Sequence, residues 1–183
     1  MNYLIVVDMQ NDFVSGALGT PEAVEIVPRV AARTAEGLSR GEEVLFTRDT
    51  HETDYLNTQE GKKLPVPHCI RGTAGWEIVP QLAEYAAGRT PVDKPTFGSR
   101  YLGAVLKARD EDLRKQGKPG VERVTLVGLC TDICVISNAL LVKAFLPEAE
   151  VAVDASCCAG VTPESHKNAL EAMRMCQIDI ENG

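Results

Sequence analysis

Short β-branched runs alternate with stretches of helical period along this whole chain, and that alternation leaves few architectures open. Residues 2–8, 43–47, 124–129, 151–154 and 177–180 read as buried strands, with a shorter one at 91–94. Such runs are too brief for helices and too uniformly apolar for a half-wet sheet. Between them, apolar residues recur at helical spacing: Val30, Thr34 and Leu38; Val79, Leu82 and Ala86; Leu102, Val105, Leu106 and Leu113; Ala169, Leu170 and Met173. A further helix is expected over residues 132–145. Strands that alternate with helices imply a parallel sheet covered on both faces. The expected fold is a three-layer α/β/α domain with a mostly parallel, Rossmann-like central sheet. At 183 residues, 1–183 is expected to be one domain.

Local punctuation refines this outline. Pro28 suits the first turn of a helix and Gly41 follows its end, so residues 11–27 are expected to be a long loop. Residues 49–75 form a second irregular stretch. Both loops follow strand ends and can reach the ligand crevice of an open α/β sheet. Trp76 is expected to open a helix and to serve packing. Thr162 and Pro163 read as an N-cap and a first-turn proline.

The net charge of −7 and pI near 5.0 speak against a nucleic-acid partner. The apolar run at residues 1–7 is too short to span a bilayer, and no secretory pattern is read there. Six cysteines without such a signal fit reduced thiols in the cytosol. A cytoplasmic protein without membrane or nucleic-acid partners is therefore expected.

Cys134 stands out among the thiols. It follows the strand at 124–129 and falls in the first turn of the next helix, where backbone N–H groups and the helix dipole favour thiolate. Asp8 and Lys94 end two other strands. Asp8 follows four consecutive apolar residues, and an unpaired charge buried there would be expensive. The three can be read as nucleophile, base and cation, or Asp8 and Lys94 as an ordinary ion pair at the sheet rim.

A second constellation lies in the loop at 49–75. Asp49 and His51, two apart on extended chain, point the same way. Glu60 and His68 come from the same loop, with Asp54 as the alternative to Glu60. Such a set suits Zn²⁺, and also Fe²⁺ or Mn²⁺. A polar loop whose histidines satisfy backbone groups is the plain alternative. Cys130 and Cys134 lack the spacing of a redox pair, Cys157 and Cys158 read as small residues near a strand end, and His166 as an exposed helix residue.

Three segments carry a resemblance. Val6-Val7-Asp8-Met9-Gln10-Asn11-Asp12-Phe13, Asp93-Lys94-Pro95-Thr96-Phe97-Gly98-Ser99 and Val127-Gly128-Leu129-Cys130-Thr131-Asp132-Ile133-Cys134-Val135 resemble, in order, the motifs of the isochorismatase-like cysteine hydrolases, and most closely their nicotinamidase branch. The resemblance implies the isochorismatase-like fold and a catalytic triad of Asp8, Lys94 and Cys134. It also implies a cis peptide at Leu129–Cys130, with the N–H groups of Cys130 and Cys134 as an oxyanion hole. A metal at Asp49, His51, Glu60 and His68 would hold the substrate's ring nitrogen. The implied reaction is hydrolysis of a small carboxamide, nicotinamide first among them, to acid and ammonia through a thioester. N-carbamoyl or ureido substrates are the alternative, and a non-catalytic binding subunit a more distant one. Relatives often assemble as homo-oligomers. The stretch Lys63-Leu64-Pro65-Val66-Pro67-His68 lacks the aromatic residue that nicotinamidases usually place there, which leaves Phe13 and Tyr101 as the expected pocket aromatics, with a core role the alternative for each.

Overall fold

The structure is a computed structural model covering residues 1–183. Six strands form one sheet: β1 (Asn2–Val7), β2 (Glu43–Asp49), β3 (Val92–Lys94), β4 (Arg123–Leu129), β5 (Glu150–Ala159) and β6 (Asp179–Glu181). Their order is β3-β2-β1-β4-β5-β6 and every pairing is parallel. This is the doubly wound order whose direction reverses beside the first strand. Seven α-helices surround it: α1 (Asn11–Val14), α2 (Pro21–Ser39), α3 (Gln59–Lys63), α4 (Pro80–Ala86), α5 (Arg100–Lys115), α6 (Ile136–Phe145) and α7 (Pro163–Met175).

The strands read as unbroken apolar runs because both of their faces are dry. Along β1, Tyr3, Ile5 and Val7 pack into one core with residues of α5, α6 and α7. Leu4 and Val6 point the opposite way, into a second core with α1, α2 and α4. That is the two-residue period of a strand, filled with hydrophobics in both phases. Each fully buried aliphatic side chain contributes about 1.5–3 kcal/mol.

Three departures from the sequence reading have local causes. Helix α2 begins at Pro21, not at Pro28: Thr20 Oγ1 accepts from the Ala23 N–H, Pro21 sits in the first turn, and Pro28 lies inside the helix. The buried stripe Ala23, Ile26, Val27 and Val30 runs straight through it, and its packing outweighs one missing backbone hydrogen bond. Trp76 ends a 3-10 turn (Ala74–Trp76) rather than opening a helix, and α4 starts at Pro80. Trp76 does serve packing: the Arg48 guanidinium lies 3.5 Å over its ring, and its Nε1 donates to Thr50 Oγ1. Strand β5 continues to Ala159, so Cys157 and Cys158 lie inside it. Its small residues carry little strand preference, and the extension exists because Cys158 and Ala159 pair with Gly128 and Leu129.

Gly128 is where the site is prepared. Its φ is +115°, and a Cβ there would stand 2.1 Å from the Val7 carbonyl oxygen. Only glycine lets β4 pass this close to the end of β1. The ladder to β5 shifts register between Leu126 and Gly128. One residue after Val7, Asp8 turns out of β1 with φ +48°. An aspartate tolerates that left-handed conformation better than most residues.

Candidate active site

Three strand ends deliver one buried cluster. Asp8 follows β1, Lys94 ends β3, and Cys134 lies in a π-helical turn (Thr131–Val135) between β4 and α6. Lys94 Nζ stands 2.6 Å from Asp8 Oδ2 and 3.3 Å from Cys134 Sγ. All three side chains are buried, so the charges meet in a medium where pairing matters far more than on the surface. The peptide between Leu129 and Cys130 is cis. Cys130 and Cys134 line the same cavity.

The three groups shift one another's ionisation. Burial pushes the Cys134 thiol well above its usual range, and the Asp8 carboxylate beside it adds to the rise, against the pull of Lys94. Burial likewise raises Asp8, against Lys94 and the Thr47 hydroxyl. Burial alone would depress Lys94, but Asp8, Cys134 and Asp49 outweigh it and keep the ammonium charged. Each of Asp8 and Cys134 disfavours ionisation of the other, as expected of two anionic groups at close quarters. Burial thus opposes the thiolate that the backbone N–H groups and dipole of the helix start favour. Asp8 Oδ2 has no well-angled hydrogen bond, and a lone pair is free for the proton that the sulfur must give up.

The support of Asp8 was not visible in the sequence. Thr47, on β2, donates from Oγ1 to Asp8 Oδ1 at 2.6 Å and accepts from the Asp8 N–H at 3.2 Å. It reads there as one more β-branched strand residue. Gln10 lay within the first motif, yet nothing assigned it a task. Its Nε2 donates to the Asp49 and Trp76 carbonyls, and its Oε1 accepts from the Asp49 N–H. It ties the end of β1 to the end of β2.

Asp49, His51, Glu60 and His68 converge, with one ligand atom from each inside a span of 4.8 Å. His68 Nδ1 is bonded to the Val66 carbonyl at 2.8 Å, which leaves Nε2 facing the cluster, the usual orientation of a metal-binding imidazole. His51 Nε2 lies 3.0 Å from Asp49 Oδ2 and 3.5 Å from Glu60 Oε1. Two imidazole nitrogens and two carboxylates fit a divalent metal of the Zn²⁺, Fe²⁺ or Mn²⁺ type. Asp49 serves both groups of residues: Oδ2 faces the histidines, while Oδ1 takes Lys94 Nζ at 3.3 Å. Burial would raise its pKa, but His51, His68 and Lys94 overcome that and hold it well below the ordinary range. Asp54, the alternative to Glu60, is exposed and outside the cluster. Tyr55 was not foreseen. Its ring packs 4.6 Å from His51 and 5.0 Å from His68, and its hydroxyl donates to the Leu64 carbonyl.

Cys134 from the first group and Asp49, Glu60 and His68 from the second line one cavity of about 500 Å³, which Phe13 also lines, with its ring 5.5 Å from that of His68. Tyr101 does not line it. It is 67% exposed, and neither the pocket role nor the core role holds. The buried stripe of α5 runs through Leu102, Gly103, Leu106, Asp110 and Leu113, which turns Tyr101 outward. His166 is half-buried rather than exposed, with Nδ1 2.7 Å from Thr131 Oγ1 in the turn that carries Cys134. A lone helical histidine carries no sequence mark of that partner.

With this geometry in view, similarity to known proteins becomes informative. The chain belongs to the isochorismatase family: the family described as "Isochorismatase domain" matches residues 2–181. Within it, the chain is 28% identical to the nicotinamidase/pyrazinamidase of Mycobacterium tuberculosis, over 98% of each protein. The crystal structure of pyrazinamidase of Pyrococcus horikoshii in complex with zinc matches with TM-score 0.76 and 30% identity, over 98% of this chain and 97% of that one. N-carbamoylsarcosine amidase from Thermoplasma acidophilum matches with TM-score 0.72 and 26% identity, over 98% and 95%.

Proposed function

We propose that this protein is a cysteine-dependent amidohydrolase that converts a small carboxamide to its acid and ammonia, with nicotinamide the leading substrate. The observation that carries this reading is the joint burial of Asp8, Lys94 and Cys134, with Lys94 in reach of both of its partners and Cys134 lining a cavity. A buried triad of that kind has no structural need, because burying ions costs more than burying apolar residues of like size.

Asp8 takes the proton of Cys134, and the sulfur attacks the amide carbon. The N–H groups of Cys130 and Cys134 stabilise the tetrahedral oxyanion. Asp8 then gives its proton to the leaving nitrogen, the C–N bond breaks, and ammonia departs from a thioester. Water, deprotonated by Asp8, cleaves the C–S bond and restores the thiol. The raised pKa of Asp8 suits a group that must both accept and return a proton. Lys94 stays charged and offsets the negative charge that moves between sulfur and carboxylate. Asp49, His51, Glu60 and His68 would hold a divalent metal, Zn²⁺ first, which supplies a Lewis-acid anchor for a donor atom of the substrate. The likeness to a zinc-bound pyrazinamidase supports that choice.

The test is ammonia release from nicotinamide with divalent metal supplied. Turnover is expected, and Cys134→Ala should lower kcat by roughly 10³- to 10⁶-fold while the protein stays folded. Full activity in that variant would end the nucleophile assignment. The likeness to N-carbamoylsarcosine amidase keeps a ureido substrate as the second reading, and turnover of such a substrate by metal-free enzyme would favour it.

A further inference from the structure

We propose that the cavity is built for a carboxamide with an apolar body larger than one ring, such as a bicyclic heteroaromatic amide. The inference rests on the amidase reading above and names the substrate class within it. Its basis is a mismatch of size and polarity. The cavity holds about 500 Å³. At the packing density of organic solids, a single-ring carboxamide such as nicotinamide occupies roughly 150 Å³. Clefts of a few hundred Å³ and above normally enclose ligands of drug-like size.

Polarity says where the extra bulk would lie. The reacting end is polar and buried, with Cys134, Asp49 and His68. Phe13 and Ile133 line the cavity near it, next to the position an aromatic ring would take. Three separate loops each contribute an exposed hydrophobic side chain to the lining. Leu64, just after α3, is 38% exposed; Phe97, between β3 and α5, is 44% exposed; Val161, between β5 and α7, is 50% exposed. An amide of roughly 150 Å³ would fill less than a third of the cavity and leave exposed side chains of this lining in water. A ligand with a second ring would cover them. Leu64 and Val66 precede His68 in the loop, where a bulky aromatic side chain would have narrowed the same space.

The test compares nicotinamide with quinoline-3-carboxamide, which keeps the ring nitrogen and the amide and adds a fused benzo ring. With divalent metal supplied, kcat/KM from ammonia release should be at least about tenfold higher for the bicyclic amide, a difference that apolar pockets achieve for small apolar increments. Calorimetry on Cys134→Ala should show the same preference in Kd. Val161→Trp, which fills part of the cavity, should lower the bicyclic-to-monocyclic ratio about tenfold. Equal or tighter binding of nicotinamide by calorimetry overturns the inference, whatever the turnover. Release of ammonia from neither amide, with the bicyclic one still bound more tightly, supports the cavity assignment and sinks the heteroaromatic carboxamide as substrate instead.

Discussion

The two halves of the site are built in opposite ways. Asp8, Lys94 and Cys134 come from three strand ends far apart in the chain, and the parallel sheet alone brings them together. Asp49, His51, Glu60 and His68 come from 20 consecutive residues (49–68) that fold back on themselves through a 3-10 turn (Tyr55–Asn57) and α3. The first half is dry and rigid, and its error of position is limited by the ladder between β1, β2, β3 and β4. The second is local, partly wet at Glu60, and held by side chains such as Tyr55 and Gln10. Asp49 stands at the junction, one oxygen for each half. Strand ends therefore set the reacting atoms, while a loop sets what lies over them, and the two should fail differently when disturbed.

The largest expected failure is on the strand side. Lys94→Met should remove the charge that Asp8 and Asp49 face, leaving buried carboxylates uncompensated. A loss of about 3–5 kcal/mol is expected in denaturant unfolding, together with loss of amidase activity. A stability change under about 1 kcal/mol would mean that the ion pair is not as dry as its geometry states.

On the loop side the fold should survive. Zinc at a hundredfold over its Kd should stabilise the protein by about 2.7 kcal/mol. His51→Ala should abolish most of that shift and cost the metal-free protein about 1–3 kcal/mol for the lost partner of Asp49, less than Lys94→Met. Thermal scans with and without zinc check this without reference to activity. If the metal-free variant unfolds as Lys94→Met does, the contrast between the halves is wrong.

A smaller effect sharpens the strand side. Thr47→Val keeps the shape of the residue and removes the hydroxyl that donates to Asp8. An unsatisfied buried carboxylate oxygen costs about 1–3 kcal/mol. A fall in kcat with little change in KM would separate the placing of Asp8 from substrate binding. The smallest effect belongs to Tyr101→Ala. At an exposed position outside the cavity it should stay within about 0.5 kcal/mol of the parent protein and leave KM unchanged. A raised KM would return Tyr101 to the pocket.

Much of this was legible in the amino acids. The strands were visible as apolar runs because both sheet faces are buried, and Asp8, Lys94 and Cys134 could be named because each stands just past such a run. The ligands Asp49, His51, Glu60 and His68 were legible as chemistry, by their types and closeness in one loop. Thr47 and Tyr55 were not, since a strand threonine and a loop tyrosine look alike whether they support a site or only fill space. The start of α2 was misplaced because two prolines compete for the first turn, and only the buried stripe decides between them. The burial that opposes a thiolate at Cys134 was not legible, because a local dipole can be read from a motif, whereas the depth of burial cannot.

By itself, the order of residues determined the alternation of strands and helices, the positions at which reactive groups leave the strands, and the kinds of atoms that could hold a metal. These depend on local pattern, and local pattern is written along the chain. Tertiary structure alone decided which ionisable groups meet, that Asp49 belongs to both halves of the site, that Tyr101 faces water, and how large a space lies over the sulfur. Those properties depend on distance and on exclusion of water, and both arise only when segments remote in the chain pack against one another.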